Sequence, residues 1–73
     1  MQYIISCRLA KKPTEICPEI YYFAGFNQDG AFKFDTRKEE AELFESFDTA
    51  DLRRQILVTR PSVLGCIVEQ INT

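Results

Sequence analysis

This chain has no histidine and no tryptophan, and its three cysteines form no C-x-x-C pair. Without histidine or closely spaced cysteines, the sequence lacks the ligand sets of the common structural zinc sites. It also has no G-x-S-x-G nucleophile motif and no glycine-rich phosphate loop. Because the commonest catalytic and metal-binding arrangements are missing, we expect a protein that is not an enzyme and that uses no cofactor and no metal.

Positive charge and long apolar runs are also scarce. Nine Lys and Arg residues stand against eleven Asp and Glu residues, for a net charge of -2 at pH 7, whereas nucleic-acid-binding domains usually carry clustered basic residues. No apolar run approaches the roughly 18 residues of a spanning helix, and Met1 to Leu9 does not have the pattern of a signal peptide. We therefore expect a soluble, cytoplasmic protein with no membrane contact, and nucleic acid is a disfavoured partner.

What the chain does contain is enough apolar residues for a compact core. Of its 73 residues, 45% are hydrophobic, and three Tyr and six Phe are among them. This composition predicts one small folded domain over residues 1–73. Such a small domain exposes much of its surface, so we expect some aromatic side chains to contact a protein partner or a second copy of the chain.

Apolar periodicity predicts about four strands. Residues 2–9 alternate, residues 20–26 and 31–34 flank the turn sequence Asn27 to Gly30, and residues 63–71 are dense in apolar side chains. The density of the last run indicates that both faces are partly covered, which a central strand position would explain. Residues 10–18, with Pro13 and Pro18, are typical of a surface loop.

The aromatic hairpin is predicted to present two different faces. Ile20, Tyr22, Ala24 and Phe26, with Phe32 and Phe34 across the turn, form the face that we expect helices to cover. Tyr21 and Phe23 would then point the other way and form an apolar contact surface for a partner.

Two helix starts follow the hairpin. Thr36 to Glu39 has the S/T-x-x-E form of a capping box, Ser46 or Asp48 offers a second N-cap, and Pro61 ends the helical pattern. We predict two helices or one bent helix. The fold class is α+β in the order β-β-β-α-α-β, a mainly antiparallel sheet of about four strands with helices packed on one face and the terminal strands close together.

Acidic residues are concentrated in the helical region. From Asp35 to Asp51 there are seven acidic and two basic residues, a local net charge of -5. Glu42, Glu45 and Asp48 are the candidates for contact with a basic surface on a partner. The alternative, which carries more weight, is an ordinary solvated helix face, since acids are favoured near helix starts.

The three cysteines, Cys7, Cys17 and Cys66, are expected to be reduced thiols. Cys7 and Cys66 lie in strand-like runs, where a small apolar side chain packs well. A redox or nucleophilic role is the less favoured alternative, because no histidine is present to activate a thiolate.

Residues 22–57 resemble a group of short phage, prophage and plasmid proteins, in which an aromatic hairpin is followed by A-x-x-F-x-S-x-x-x-A. Here those positions are Ala41, Phe44, Ser46 and Ala50, and Phe32 stands where many such hairpins carry tryptophan. The resemblance implies an inhibitor or adaptor that acts on host machinery, including restriction and CRISPR complexes, and it brings no catalytic residues.

The sequence thus favours a non-enzymatic protein-binding module that uses an acidic helical face and an aromatic sheet face. One alternative is a small RNA or single-stranded DNA binder, because aromatic side chains on adjacent strands can stack on bases. Another is a structural subunit of a homo-oligomer.

Overall fold

The structure is a computed structural model that describes residues 2–10 and 20–71. Its strands are β1 (Gln2–Leu9), β2 (Tyr21–Phe26), β3 (Phe32–Asp35) and β4 (Val63–Ile71), and its helix is α1 (Phe47–Leu57). The strands form one antiparallel sheet in the order β3-β2-β1-β4, and α1 packs against it. The predicted α+β class is confirmed. Cys17 and the predicted loop beyond Ala10 lie outside the described residues.

The two terminal strands are neighbours, as predicted. β1 and β4 pair from Gln2 opposite Ile71 to Leu9 opposite Val63, with a shift in register between Arg8 and Leu9. The predicted bounds of both strands are also confirmed. The central position expected for β4 is wrong, because β1 lies between β2 and β4 and β4 is at the edge of the sheet.

The hairpin turn between β2 and β3 forms as its sequence predicts. Gly30 has a φ of 86°, a backbone conformation that glycine adopts without a steric penalty. The Asn27 N–H donates to the Ala31 carbonyl at 2.8 Å, and the Gly30 N–H donates to the Asn27 carbonyl at 3.0 Å. The Asp29 carboxylate accepts from the Ala31 N–H at 3.1 Å, so the turn chemistry expected for this segment is present.

The predicted faces of β2 are wrong, whereas Phe32 and Phe34 of β3 do pack against the core as predicted. Phe23 is completely buried in the core, opposite Phe34, and Tyr21 shares its face because it pairs with the buried Cys7. Gly25, with a φ of 98°, lies where the β2–β3 register shifts. This irregularity breaks the alternation of side chains, so that Phe26 comes to lie on Phe23, with ring centroids 5.9 Å apart.

The first predicted helix is also wrong. Lys38–Glu40 forms a short 3-10 turn whose preceding residue, Arg37, is extended and provides no side-chain cap. After it, the backbone of Phe44 exchanges two hydrogen bonds with Tyr3, of 2.8 and 2.9 Å, and the Glu42 N–H donates to the Phe23 carbonyl at 2.8 Å. Residues 42–44 are therefore extended and bonded to both β1 and β2, which is incompatible with a helix.

The helix α1 begins at the second predicted N-cap. Ser46 Oγ accepts from the Thr49 N–H at 3.2 Å and lies 2.7 Å from the Thr49 hydroxyl. Ala50 and Leu57 from α1 are completely buried, and they complete one core with Ile5, Cys7, Phe23 and Phe44. The core thus lies between α1 and one face of the sheet.

Candidate functional site

The three predicted acidic contact residues lie close together in sequence but on different structures. Glu42 is half-buried in the extended segment bonded to β2, Glu45 is exposed just before the N-cap, and Asp48 is exposed in the first turn of α1. Glu45 and Asp48 therefore belong to the surface around the start of α1. Glu42 instead lies beside β2, where its N–H donates to the Phe23 carbonyl and its carboxylate extends toward Gly25.

The two predicted aromatic contact residues lie on the core side of β2. Phe23 is buried, and Tyr21 is half-buried on the same core-side face of β2. Because Phe23 has no exposed area, we remove it from the candidate contact surface. Phe26, which the sequence assigned to the covered face, is exposed instead, and Leu52 and Ile56 on α1 are exposed as well.

The aromatic side chains of the hairpin contact one another and two arginines. Arg53 lies over Phe26, 5.0 Å from the ring centroid, and Arg60 lies over Phe32 at 4.8 Å. Such arrangements contribute cation–π attraction and cover the rings with the arginine side chains. These pairs carry no local sequence signal, because Arg53 and Arg60 are distant in sequence from the rings that they cover. Base stacking requires accessible ring faces, so this arrangement does not favour a nucleic-acid partner.

Two of the three most exposed large apolar side chains among the described residues lie on β4, a strand that the sequence placed in the sheet centre. Leu64 is 70% exposed and Ile67 is 61% exposed. In the described part of the chain, β4 pairs with β1 on one side and with no strand on the other. The apolar density of β4 was visible in the sequence, but it indicated burial rather than an exposed edge.

The direction of the β4 backbone follows from β1. The Tyr3 N–H and C=O both bond to Phe44, on the side of β1 opposite to β4. The backbone N–H and C=O groups of successive residues point to alternate sides of a strand, so those of Ile5 and Cys7, like those of Tyr3, point away from β4. Ile5 and Cys7 therefore each form a non-hydrogen-bonded pair with the β4 residue opposite. Those partners, Val68 and Cys66, therefore direct their N–H and C=O groups toward the open edge.

A groove of about 330 Å³ lies where α1 overhangs this edge, and it is lined by Phe47, Asp51, Arg54, Cys66, Ile67 and Val68. Arg54 Nε donates to Asp51 Oδ1 at 2.6 Å, and Gln55 Nε2 donates to Asp51 Oδ2 at 2.9 Å. The hydrogen bond from Arg54 and then that from Gln55 hold the pKa of Asp51 below its usual value. The groove thus combines apolar walls with a fixed ion pair and an open strand edge.

The cysteines of the terminal strands face each other. Cys7 is directly opposite Cys66, and the two Sγ atoms are 2.7 Å apart. Burial is the main cause that raises the pKa of both thiols, and the neighbouring Cys66 raises that of Cys7 further. The packing role predicted for these residues agrees with their burial, whereas their pairing was not predicted, although the predicted proximity of the terminal strands could have indicated it.

The described residues contain neither a metal-ligand cluster nor a membrane-spanning helix. Within residues 2–10 and 20–71, no group of three or more potential ligand side chains is arranged to hold a metal ion. The helix α1 spans 11 residues, and no helix in the described part of the chain is long and apolar enough to cross a membrane. Comparisons with protein-family models, curated proteins and solved structures gave no match to this chain.

Proposed function

We propose that this protein is a non-enzymatic protein-binding module whose contact surface is the open edge of β4 and the groove beside α1. The observation that carries this proposal is the exposed strand edge, with Leu64 and Ile67 largely accessible on it. A strand with outward-directed backbone groups and exposed apolar side chains is a template for pairing with another chain. Proteins that keep such an edge commonly use it to bind an extended segment of a partner.

Binding would proceed by addition of a strand. Backbone groups of the partner would bond to those of Cys66 and Val68, which point to the edge. Alternate side chains of the added strand would enter the groove and contact Phe47 and the stem of Arg54. This mode supplies affinity through the main chain and selectivity through the groove.

The acidic residues at the start of α1 support a partner segment that carries basic residues. Glu45 and Asp48 are exposed at the start of α1, next to Phe47 at the groove. Acidic side chains at the rim of an interface speed association with a basic partner and disfavour acidic ones. A role as an inhibitor or adaptor of host machinery, which the resemblance to phage and plasmid proteins implies, is part of this proposal.

A second candidate, a homodimer formed through the same edge, is supported by the β1–β4 register. In an antiparallel pairing of two copies centred on Ile67, Glu69 of one copy lies opposite Gly65 of the other. Within each copy, Arg8 of β1 lies opposite Gly65 of β4, so the side chains of Arg8 and of the other copy's Glu69 would lie on the same face of the sheet, on either side of Gly65. Because Gly65 has no side chain, Glu69 and the Arg8 of the other copy could meet across it, twice in a two-fold dimer.

The test compares two lysine substitutions at sites of nearly equal exposure. Ile67→Lys places a charge on the β4 edge, whereas Leu52→Lys places one on the outer face of α1, where Leu52 is 63% exposed. Light scattering gives the oligomeric state of each purified variant. Each variant then serves as bait in a lysate of the source host, with quantitative mass spectrometry of the captured proteins.

A protein partner that is captured by the wild type and by Leu52→Lys, but not by Ile67→Lys, is the expected result. A wild-type dimer that becomes monomeric in Ile67→Lys alone would support the homodimer instead. Equal behaviour of the two variants in both measurements would overturn the proposed use of the β4 edge.

A further inference from the structure

Cys7 and Cys66 occupy directly opposed positions on two adjacent antiparallel strands, although they are 59 positions apart in sequence. Their pair is of the non-hydrogen-bonded kind, because the Cys7 backbone points toward β2. Cα atoms in such pairs are about 4.5 Å apart in general. A disulfide requires Cα atoms about 4.4–6.8 Å apart, so the backbone already meets this requirement.

The side chains meet the second requirement, which is that both sulfurs lie on one side of the sheet and close together. The two Sγ atoms are 2.7 Å apart, and the Cys66 thiol donates toward Cys7 Sγ. Ordinary non-bonded carbon contacts are about 3.5–4.0 Å, and a disulfide bond is about 2.05 Å long. Formation of a bond therefore needs only a small shift of the sulfurs and no change in strand register.

The two thiols differ in access, and this difference orders the steps of a reaction. Cys7 is buried in the core, whereas Cys66 is partly exposed and lines the groove under α1. Burial raises the pKa of the Cys66 thiol, and the positive charge of Arg54, which lines the same groove, offsets part of that rise. An incoming reagent can therefore reach Cys66 before it can reach Cys7.

We propose that Cys7 and Cys66 form a thiol redox site that closes into a cross-strand disulfide by exchange with a small disulfide of the glutathione class. The Cys66 thiolate attacks one sulfur of the oxidised reagent, whose S–S bond breaks and releases one reduced thiol. Cys7 then attacks Cys66 Sγ in the mixed disulfide and displaces the second reduced thiol. The two protein thiols lose two electrons and two protons, which reduce the reagent to two thiols.

This reaction would join β1 and β4, the first and last strands in the sequence, by a covalent bond. The disulfide would lie toward the Leu9–Val63 end of the β1–β4 pairing, beside the edge proposed as the contact surface. Closure of the disulfide requires only the geometry of the two cysteines, and it does not depend on binding of a partner.

The test uses the full chain carrying Cys17→Ser, so that Cys7 and Cys66 are its cysteines. The folded, reduced protein is incubated with oxidised glutathione without oxygen, quenched with acid, alkylated and weighed by intact mass spectrometry. The expected product is a monomer that has lost two hydrogen atoms and carries neither glutathione nor alkyl groups. Peptide mapping should then place the bond between Cys7 and Cys66.

A matched variant tests the order of attack. With Cys7→Ser added, the mixed disulfide cannot be resolved, so one glutathione should remain on Cys66. With Cys66→Ser added instead, the buried Cys7 should remain mostly unmodified over the same time. Circular dichroism of each variant establishes that it is folded before the reaction.

Three results would overturn the proposal. These are stable glutathione adducts on the chain that retains both Cys7 and Cys66, covalent dimers as the main product, and no reaction of the folded protein. A further sample is unfolded in denaturant and refolded in the same glutathione buffer. If closure occurs only in that sample, the strands tolerate the disulfide but the folded protein is not a redox site.

Discussion

Phe23 is the residue on which the core depends most. Its ring lies against those of Phe26, Phe32, Phe34 and Phe44, with centroid distances of 5.9 to 6.3 Å, and it has no exposed area. Replacement of a buried Phe by Ala costs about 3–5 kcal/mol of unfolding free energy. A domain of this size is stable by only about 5 kcal/mol or a little more, so we expect Phe23→Ala to be largely unfolded by circular dichroism.

The control for this prediction is Phe47→Ala. Phe47 is exposed at the groove and makes an edge contact with Tyr3, so its loss should cost no more than about 1.5 kcal/mol. Phe23→Leu provides a variant that still folds, with a urea midpoint below that of the wild type. Equal midpoints for Phe23→Leu and the wild type would contradict a core position for Phe23.

Asp51 should make the stability of the protein depend on pH. Its hydrogen bonds to Arg54 and Gln55 lower its pKa in the folded state. The stabilisation is therefore complete above the unfolded pKa, about 3.9, and is lost as the pH falls through the lower folded pKa. We expect Asp51→Asn to reduce the urea midpoint at neutral pH, and this difference should disappear in strong acid.

The measurement is a set of urea unfolding curves for the wild type and Asp51→Asn between neutral pH and acid. Arg54→Gln in each background serves as control, because it should lower the urea midpoint of the wild type but change that of Asp51→Asn much less, since the carboxylate is then absent. A midpoint difference that stays constant with pH would show that the amide substitution acts through packing and not through charge.

For individual residues, the sequence could predict the turn at Asp29 and Gly30 but not the burial of Phe23. Gly30 and Asp29 have conformational preferences that act locally, and the structure contains the turn they predict. In β2, however, Tyr21, Tyr22 and Phe23 are all apolar enough to face a core, so alternation cannot distinguish the two faces. The register shift around Gly25 then places Phe26 with Phe23, which strict alternation forbids.

Among the elements, α1 should depend on Ser46 and not on Thr36. Ser46 Oγ accepts from the Thr49 N–H, and loss of such a cap costs about 0.5–2 kcal/mol. We expect Ser46→Ala to lower the unfolding free energy by about 1 kcal/mol and Ser46→Asp to restore most of it. Urea unfolding followed by circular dichroism gives both values.

Thr36→Ala is the matched control, since both sequence positions have the form of an N-cap. The 3-10 turn after Thr36 has no side-chain cap, and we expect a change within about 0.5 kcal/mol. A larger loss for Thr36→Ala than for Ser46→Ala would show that the capping box forms after all.

The failure at Thr36 shows how tertiary pairing overrides a local signal. A capping box favours a helix only if the following residues are free to form one. Here the backbones of Glu42 and Phe44 bond to Phe23 and Tyr3, and those bonds need an extended chain. The sequence between residues 38 and 44 contains no signal for this pairing, because its partners are distant in sequence.

For the whole molecule, the sequence could predict the class, the strand bounds of β1 and β4, and their proximity. It could not predict that β4 would lie at the edge, because apolar density indicates burial and an exposed apolar strand has the same composition. For the same reason, the sequence could not predict that the candidate site lies on β4. Leu64 and Ile67 were assigned to a core, whereas the acidic residues, which are easier to see, were assigned to the contact surface.

The connection between the terminal strands also gives a prediction about global stability. Closure of the Cys7–Cys66 disulfide would enclose almost the whole chain, because the two cysteines are 59 positions apart. Cross-linking a loop of this length should stabilise the folded state by up to about 4 kcal/mol, mainly by restricting the unfolded chain. We therefore expect the oxidised Cys17→Ser protein to unfold at a clearly higher urea concentration than the reduced form.

The same comparison in the Cys7→Ser, Cys17→Ser variant, treated identically, should show no such increase, since no ring can close. An increase in both proteins would point to the glutathione adduct or the buffer as its cause. A decrease on oxidation of the Cys17→Ser protein would mean that the bond strains the β1–β4 pairing by more than the loop restriction contributes. The two strands would then be opposed in register but unable to accept the bond without loss of packing around Ile5 and Val68, which neighbour the cysteines in the sheet.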